Sequence, residues 1–181
     1  MLKNIAIVVY HHTRDTASAK DPNPPMISSK MKYAIKALVT LAEEAERTGS
    51  SLTIEEVAER SGTPKRFLEH ILLELKRAGL ISSRRGRVGG YVVIKDPRSI
   101  SIGAIQRLVD GPMAPLPCLS RRAYQRCADC QSEADCRIRE VFGSVFAGYL
   151  LLIESLTVAD LMRRDAAAVL DGLGATNQIT N

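Results

Sequence analysis

The sequence predicts a mainly α-helical fold, a winged helix-turn-helix followed by a long C-terminal helix. Apolar residues recur at steps of three and four along several segments, which is the spacing of one face of an α-helix. Two such segments are joined by a short glycine turn and followed by a glycine-rich hairpin at residues 86–90. A last apolar stripe, from Ile138 to Leu156, is long enough for one extended helix.

Length and composition indicate a globular chain that needs no disulfide bonds to fold. It has 181 residues, of which 45% are apolar and 25% charged, so a core can form without disulfides. The apolar run from Ile5 to Tyr10 is too short for a signal peptide or a membrane span. We therefore expect a cytoplasmic protein with no membrane partner.

The first helix follows an N-terminal extension. Residues 1–29 lack periodicity and contain DPNPP at positions 21–25, which predicts a poorly ordered segment. From Lys30 to Gly49 apolar residues return at helical spacing. This helix opens a winged helix-turn-helix domain that we assign to residues 30–111.

The next two helices form the predicted helix-turn-helix. Thr53 and Glu56 have the spacing of a capping box, and that short helix should stop at Ser61-Gly62. Thr63 is the predicted N-cap of the following helix, with Pro64 at its first position. Its predicted buried stripe consists of Phe67, Leu68, Ile71, Leu72 and Leu75.

The segments after Ala78-Gly79 complete the domain and lead to the C-terminal region. Residues 80–85 and 91–94 flank the hairpin tip, and Ser101 should cap a short helix that ends at residues 110–112. We assign residues 112–136 to a cysteine-rich loop, 137–170 to the long helix and a last helix capped by Thr157, and 171–181 to a loose tail.

Positive charge is concentrated in one window. The chain carries a net charge of +5, but residues 60–98 hold ten Lys or Arg against three acids, which is +7 and leaves −2 for the remainder. A local basic patch on a near-neutral body indicates that a polyanion docks at one place.

Duplex DNA is the polyanion that this pattern favours. In a helix-turn-helix the N-terminal residues of the second helix reach base edges, where Lys65 and Arg66 can donate to guanine and Glu69 can accept from cytosine. Arginines on the wing suit phosphate or minor-groove contacts. The candidate DNA-binding residues are Thr63, Lys65, Arg66, Glu69, His70, Arg84, Arg85, Arg87, Gly89 and Gly90. The alternative is a winged-helix module that binds protein partners and carries a structural zinc site.

All four cysteines lie in one stretch of nineteen residues. Cys118, Cys127, Cys130 and Cys136 are spaced C-x8-C-x2-C-x5-C, and reduced thiolates in the cytoplasm suit an iron–sulfur cluster or zinc. A metal-free thiol switch stays open, and a disulfide framework is the weakest option. No βαβ unit surrounds the CxxC motif, and no catalytic triad or phosphate loop is visible, so we do not expect an enzyme.

Five segments of the chain resemble the Rrf2 type of winged-helix regulators, a family that includes an iron–sulfur cluster regulator and a nitric-oxide-sensing repressor. They are KYAIKALVTLA, GTPKRFLEHILLELKRAGLI, SSRRGRVGGY, SISIGAIQRLVDG and SLTVADL, in order within residues 28–162. The resemblance implies a homodimer built on the long helix, a palindromic promoter site on double-stranded DNA, and repression as the commoner mode of action. It also implies that Glu69 tunes site choice.

The resemblance further implies an iron–sulfur cluster, 2Fe–2S or 4Fe–4S, held by three cysteines just before the long helix. Cys130 and Cys136 match the second and third of these ligands, whereas Cys118 and Cys127 are both candidates for the first. The cluster regulator carries a histidine three residues after its last cysteine, and this chain has Arg139 there.

Overall fold

The computed structural model describes residues 27–86, 89–111 and 113–163, and in these ranges it confirms the predicted fold. The helices and strands are α1 (Ser29–Arg47), α2 (Ile54–Ser61), α3 (Lys65–Arg77), β1 (Ile81–Arg84), β2 (Gly90–Val93), α4 (Ile102–Val109), α5 (Arg137–Ser155) and α6 (Val158–Arg163). Short 3-10 helices span Pro97–Ser99 and Pro117–Leu119. The predicted N-terminal extension up to residue 26, the last helix beyond Arg163 and the tail lie outside the described residues.

Helix α1 is the centre of the core. Its apolar face contacts α2, α3, α4, α6 and β2. Side chains that are almost fully buried there or opposite it include Met31, Leu38, Leu41, Leu68, Ile71, Leu72, Leu75 and Ile105. Burying each such side chain contributes about 1.5–3 kcal/mol, which offsets the conformational entropy lost on folding.

The chain enters α1 through a cap that also joins the two ends of the domain. The amide of Met31 donates to the Ser28 hydroxyl at 3.0 Å, and that hydroxyl donates to the Asp110 carboxylate at 2.5 Å. Asp110 follows α4, so the first and last helices of the winged-helix domain are tied together. Helix α1 accordingly begins at Ser29, one residue before the predicted start.

A buried carboxylate joins α1 to α2. Glu44 is only 6% exposed, and it accepts hydrogen bonds from Thr48 (2.7 Å), from Arg47 (2.6 Å) and from Arg60 on α2 (2.8 Å). These bonds, with that of Thr48 the largest influence and those of the arginines next, lower the pKa of Glu44 from 4.5 to about 2. The ionised form of Glu44 therefore stabilises the fold.

Replacing Glu44 with glutamine should lower the melting temperature near neutral pH and much less at low pH. The folded-state pKa lies below the unfolded one, so this stabilisation is present above pH 4.5 and is lost as the pH falls towards about 2. Thermal unfolding of wild type and Glu44→Gln across this range measures the difference, with the exposed neighbour Glu43→Gln as control. A deficit of equal size at pH 7 and at pH 3 would contradict this role.

The predicted capping box of α2 is confirmed, whereas the predicted cap of α3 is wrong. Thr53 accepts from the amide of Glu56 at 3.3 Å, and the Glu56 carboxylate accepts from the amide of Thr53 at 2.8 Å. At α3 the N-cap is Pro64, which makes no side-chain cap bond. The Thr63 side chain is 2% exposed, and its hydroxyl has no hydrogen-bond partner among the described residues.

The reason for this difference lies in the end of α2. Gly62 adopts a left-handed conformation with φ 61°, and the Thr63 amide donates back to the Ala58 carbonyl at 3.1 Å. This bond closes α2 in the manner of a Schellman motif, so Thr63 belongs to the end of one helix and not to the start of the next.

Strands β1 and β2 form the predicted antiparallel hairpin, in which Ile81 pairs with Val93 and Arg84 with Gly90. A further bridge pairs Leu52 with Tyr91 and joins the hairpin to the start of α2. This bridge explains the glycine at position 90, because a Cβ atom there would lie 2.4 Å from the Leu52 carbonyl oxygen. Gly90 is thus required by the fold itself.

The C-terminal half of α5 is docked on the winged-helix domain. Glu154 accepts from the Ser101 hydroxyl at 2.7 Å and pairs with Arg107, while the Tyr149 hydroxyl donates to Gln106 at 2.9 Å. The amide of Ile102 donates to the Leu156 carbonyl at 2.8 Å. Among the described residues, no helix combines the length and apolarity that crossing a bilayer would require.

Candidate nucleic-acid interface and cysteine loop

Helix α3 presents one polar face to solvent at its N-terminal end. Leu68, Ile71, Leu72 and Leu75 face the core. Lys65, Arg66, Glu69 and His70 are all exposed, as predicted from their positions around the helix. The four side chains available for contact with bases therefore lie together on the first two turns, and buried Thr63 is not among them.

The two cations at this end differ in their surroundings. The Lys65 ammonium pairs with the carboxylate of Glu55 on α2. Their hydrogen bond is the main cause that raises the pKa of Lys65 and lowers that of Glu55. Arg66 makes no ion pair with any described residue, and its guanidinium lies 4.8 Å from the ring centre of Phe67. Arg66 is therefore the cation with more of its charge available to a ligand.

The predicted burial of Phe67 is wrong, because this side chain is 41% exposed. Its ring packs against Tyr33 of α1 at 5.5 Å between centres, and the Arg66 guanidinium also lies against this ring. Helical spacing alone could not separate this edge position from the core positions beside it, since Phe67 lies next to Leu68 and one turn before Ile71.

The wing has two exposed arginines among its described residues. Arg84 and Arg85 are exposed at the end of β1, and Lys76 on α3 donates to Ser83 on β1 at 2.6 Å. This bond fixes the C-terminal part of α3 against the base of the wing. Local packing explains why position 89 is a glycine, because a Cβ atom there would lie 2.6 Å from the Arg84 carbonyl oxygen. Arg87 lies outside the described residues.

Helix α5 exposes an apolar stripe in its N-terminal half. Ile138, Val141, Phe142 and Val145 lie along one side and are about half to two thirds exposed. Contiguous exposed apolar area of this kind marks a contact surface in soluble proteins. We call these four residues the α5 stripe.

The cysteine loop, residues 113–136, holds its four thiols in different environments. Cys118 is buried in the 3-10 helix Pro117–Leu119, Cys127 is exposed, and Cys130 and Cys136 are half-buried. Cys136 is the N-cap of α5, and its sulfur accepts from the amide of Arg139 at 3.5 Å. This thiol therefore lies at the N-terminal end of a long helix.

The Cys127 thiol has a raised pKa. Desolvation is the largest cause, and the nearby side chains of Cys118, Asp129 and Cys130 add to it. The neutral thiol of Cys127 is therefore favoured in this loop.

An ionic network that the sequence analysis missed anchors the loop to α5. Arg139 donates to the Cys118 carbonyl and lies 3.5 Å from the Glu133 carboxylate, which in turn accepts from the Tyr124 hydroxyl. The Arg126 guanidinium donates to the carbonyls of Cys130 (2.9 Å) and Gln131 (3.1 Å) and so stabilises this turn of the loop. The sequence marked Arg139 only as a departure from the family pattern, because partners in a loop without periodicity give no signal.

The donor set of the loop suits a cluster or zinc, but its arrangement does not. Thiolates are the preferred ligands of both groups. Within the described residues, which include all four cysteines, no three side chains of His, Cys, Asp or Glu converge on a point where they would hold a metal ion. Binding such a group would require the loop to rearrange around Cys118 and Cys136.

Comparison with known proteins identifies the family. The family model described as Rrf2, iron-dependent transcriptional regulator, matches residues 27–164. A Rhodobacter capsulatus protein named as an rrf2-like HTH-type transcriptional regulator is 62% identical over 138 residues, which are 76% of this chain and 92% of that protein. The HTH-type transcriptional regulator IscR of Vibrio atlanticus is 26% identical over 137 residues, covering 76% and 75% of the two chains.

Solved structures share the architecture. CymR, the global cysteine regulator of B. subtilis, superposes with a TM-score of 0.59 at 24% identity, covering 77% of this chain and 98% of that one. The T. potens IscR structure gives a TM-score of 0.58 at 25% identity, covering 80% and 90%. The relatives are transcriptional regulators and not enzymes, as predicted. The chain described here therefore belongs to the Rrf2 family of transcriptional regulators.

Proposed function

We propose that this regulator binds a palindromic promoter site on double-stranded DNA as a homodimer and represses transcription there. Each protomer inserts the N-terminal end of α3 into the major groove, with Arg66 and Lys65 donating to guanine and Glu69 and His70 completing the base contacts. Arg84, Arg85 and Arg87 on the wing contact phosphates. The single observation that carries this proposal is the exposed polar face at the start of α3, beside a wing with exposed arginines.

Dimerisation is proposed to occur through the α5 stripe. Its four apolar side chains are exposed in the single chain, and a second copy of the same helix would bury them. The C-terminal half of the same helix is fastened to the DNA-binding domain through Glu154 and Tyr149. A dimer formed on α5 would therefore set the distance between the two α3 helices.

The cysteine loop is proposed to be the sensor of this regulator. Arg139 and Cys136 connect it to the first turn of α5, next to the α5 stripe. A change at the thiols would alter this docking and, through α5, the spacing of the two recognition helices. The loop could respond in one of two ways: by gain or loss of an iron–sulfur cluster held by Cys118, Cys127, Cys130 and Cys136, or by a change in the oxidation state of metal-free thiols. Visible absorbance after anaerobic purification separates them, and a colourless, zinc-loaded protein would eliminate the cluster.

The salt dependence of DNA affinity tests the wing contact. Replacing Arg85 with alanine should weaken binding to all duplexes and reduce the slope of log affinity against log salt by about 0.9 for each protomer, because one phosphate contact is lost. Replacing exposed Arg98, at the 3-10 helix after the wing, is the matched control and should leave the slope unchanged. An unchanged slope in Arg85→Ala would rule out this contact, and a wild-type affinity insensitive to salt would favour the protein-binding module.

A further inference from the structure

A side-chain clamp joins the C-terminal half of α5 to α4. The Glu154 carboxylate accepts from the Ser101 hydroxyl at 2.7 Å and pairs with the Arg107 guanidinium. The same Ser101 hydroxyl is the N-cap of α4 and accepts from the amide of Ala104 at 3.0 Å. Because Ser101 and Arg107 lie on different turns of α4, one carboxylate fixes α5 against two points of that helix.

The backbone of α4 leaves room for this carboxylate at Gly103. A Cβ atom at this position would lie 2.5 Å from Glu154 Oε1, and the three atoms nearest to it all belong to the end of the Glu154 side chain. Gly103 lies in the first turn of α4 and has no positive φ, so alanine could adopt the same backbone. The glycine is therefore explained by the space that Glu154 occupies and not by the helix itself.

Helix α4 is in turn fixed to the recognition helix α3. Lys30 of α1 donates to the Glu74 carboxylate of α3 at 2.8 Å and to the Val109 carbonyl at the end of α4 at 3.4 Å. Ile105 of α4 is fully buried in the core that these helices share. A packed core of this kind transmits a change of orientation instead of absorbing it. The direction of α5 and the direction of α3 are thus linked through α4.

Backbone bonds fix where α5 ends, whereas side chains fix its direction. The Ile102 amide donates to the Leu156 carbonyl, which directly follows α5, at 2.8 Å. A helix that is held only at its end can pivot about that end. Within the described ranges, Glu154 and Tyr149 are the α5 side chains that hydrogen-bond to the winged-helix domain. They therefore oppose such a pivot.

We infer that the Glu154 carboxylate is a positioning group that fixes the angle between α5 and the winged-helix domain, and so makes the dimer selective for one spacing between its two half-sites. This inference rests on the proposed dimer and names the contact that sets its geometry. One base pair inserted between the half-sites moves the second one by about 3.4 Å and rotates it by about 35°. A rigid dimer then loses the second half-site, whereas a dimer that pivots can follow it.

Binding to palindromes of different spacing tests the inference. The set contains the preferred palindrome, the same palindrome with one or two base pairs inserted or removed at its centre, and a fragment with a single half-site. The wild type should prefer its own spacing at least about tenfold over the neighbouring ones. Glu154→Ala should reduce this preference to within about threefold. Its affinity for the single half-site should stay within about twofold of the wild type, and sedimentation should show a dimer.

A second variant displaces the carboxylate without removing it. Gly103→Ala should relax the spacing preference in the same way, and it should add nothing further in a protein that already carries Glu154→Ala. Alanine is a stronger helix former than glycine, so α4 should stay folded. The matched control is Glu140→Ala, which removes an exposed carboxylate from the same helix, on the side away from the α5 stripe. It should keep the spacing preference of the wild type.

The outcomes separate this inference from the proposed function. A wild-type spacing preference in Glu154→Ala would overturn the inference. A monomeric Glu154→Ala, or an equal loss of affinity for the single half-site and the palindrome, would overturn it as well. A wild-type dimer that binds palindromes of every spacing equally well would contradict the inference alone. A wild type that binds as a monomer, or without preference for any sequence, would contradict the proposed function and the inference with it.

Discussion

Replacing Val145 with aspartate should convert the regulator to a monomer and lower its affinity for a palindromic promoter fragment at least about 100-fold, because the second half-site is then bound independently. Val145 is the last residue of the α5 stripe and the most exposed of its four side chains, at 65% in the single chain. In a dimer built on the stripe, the aspartate would be buried without a partner, which is strongly unfavourable. Sedimentation measures the oligomeric state, and fluorescence anisotropy measures the affinity.

The matched control is Ala147→Asp, which adds the same charge to the same helix. Ala147 is exposed and projects about 160° away from Val145 around the helix axis. This variant should remain dimeric and bind DNA like the wild type. If Val145→Asp also remained dimeric, the α5 stripe would not be the dimer interface.

Replacing Arg66 with alanine should remove most of the preference for the promoter sequence. A bidentate arginine–guanine contact contributes about 1–3 kcal/mol at each half-site, so the loss of both contacts should lower the affinity for the preferred fragment at least about 30-fold. The affinity for random duplex should fall much less, since that binding depends on total charge. Competition between labelled promoter fragment and random competitor at constant salt measures the ratio.

Two further variants show whether charge or position matters at this site. Arg66→Lys keeps the charge but lacks the planar fork of donors, so it should recover non-specific binding without recovering specificity. Arg77 is exposed on α3 at the opposite end of the helix, and Arg77→Ala should leave the sequence preference intact. An equal loss of preference in Arg77→Ala would mean that α3 does not read bases through its N-terminal end.

Local signals accounted for most of the fold. The capping box of Thr53 with Glu56 and the cap at Ser101 lie within three residues of the amides they bind, so their pattern is visible in the sequence. The prediction that Thr63 caps α3 was wrong, because the amide of Thr63 donates to the Ala58 carbonyl and so closes the end of α2. Whether such a residue ends one helix or caps the next depends on the backbone conformation and not on the residue type.

The interface and the loop depend more on contacts between distant residues. The exposure of Arg66 followed from helical periodicity, but the pairing of Lys65 with Glu55 on the preceding helix could not be read from spacing. The same holds for Glu44, whose partner Arg60 is sixteen residues away. In the cysteine loop the sequence identified the four thiols, and only the fold shows that Cys118 is buried whereas Cys127 is exposed.

We propose that the N-terminal end of α3 reads base edges in duplex DNA. Selection of bound sequences from a random duplex library by the wild-type protein tests it most directly. We predict enrichment of a palindrome whose half-sites lie about one helical turn, roughly 34 Å, apart. The enriched site should bind at least about 1000-fold more tightly than random duplex at the same salt concentration. A bound pool with no enriched sequence, from both reduced and oxidised protein, would contradict the claim.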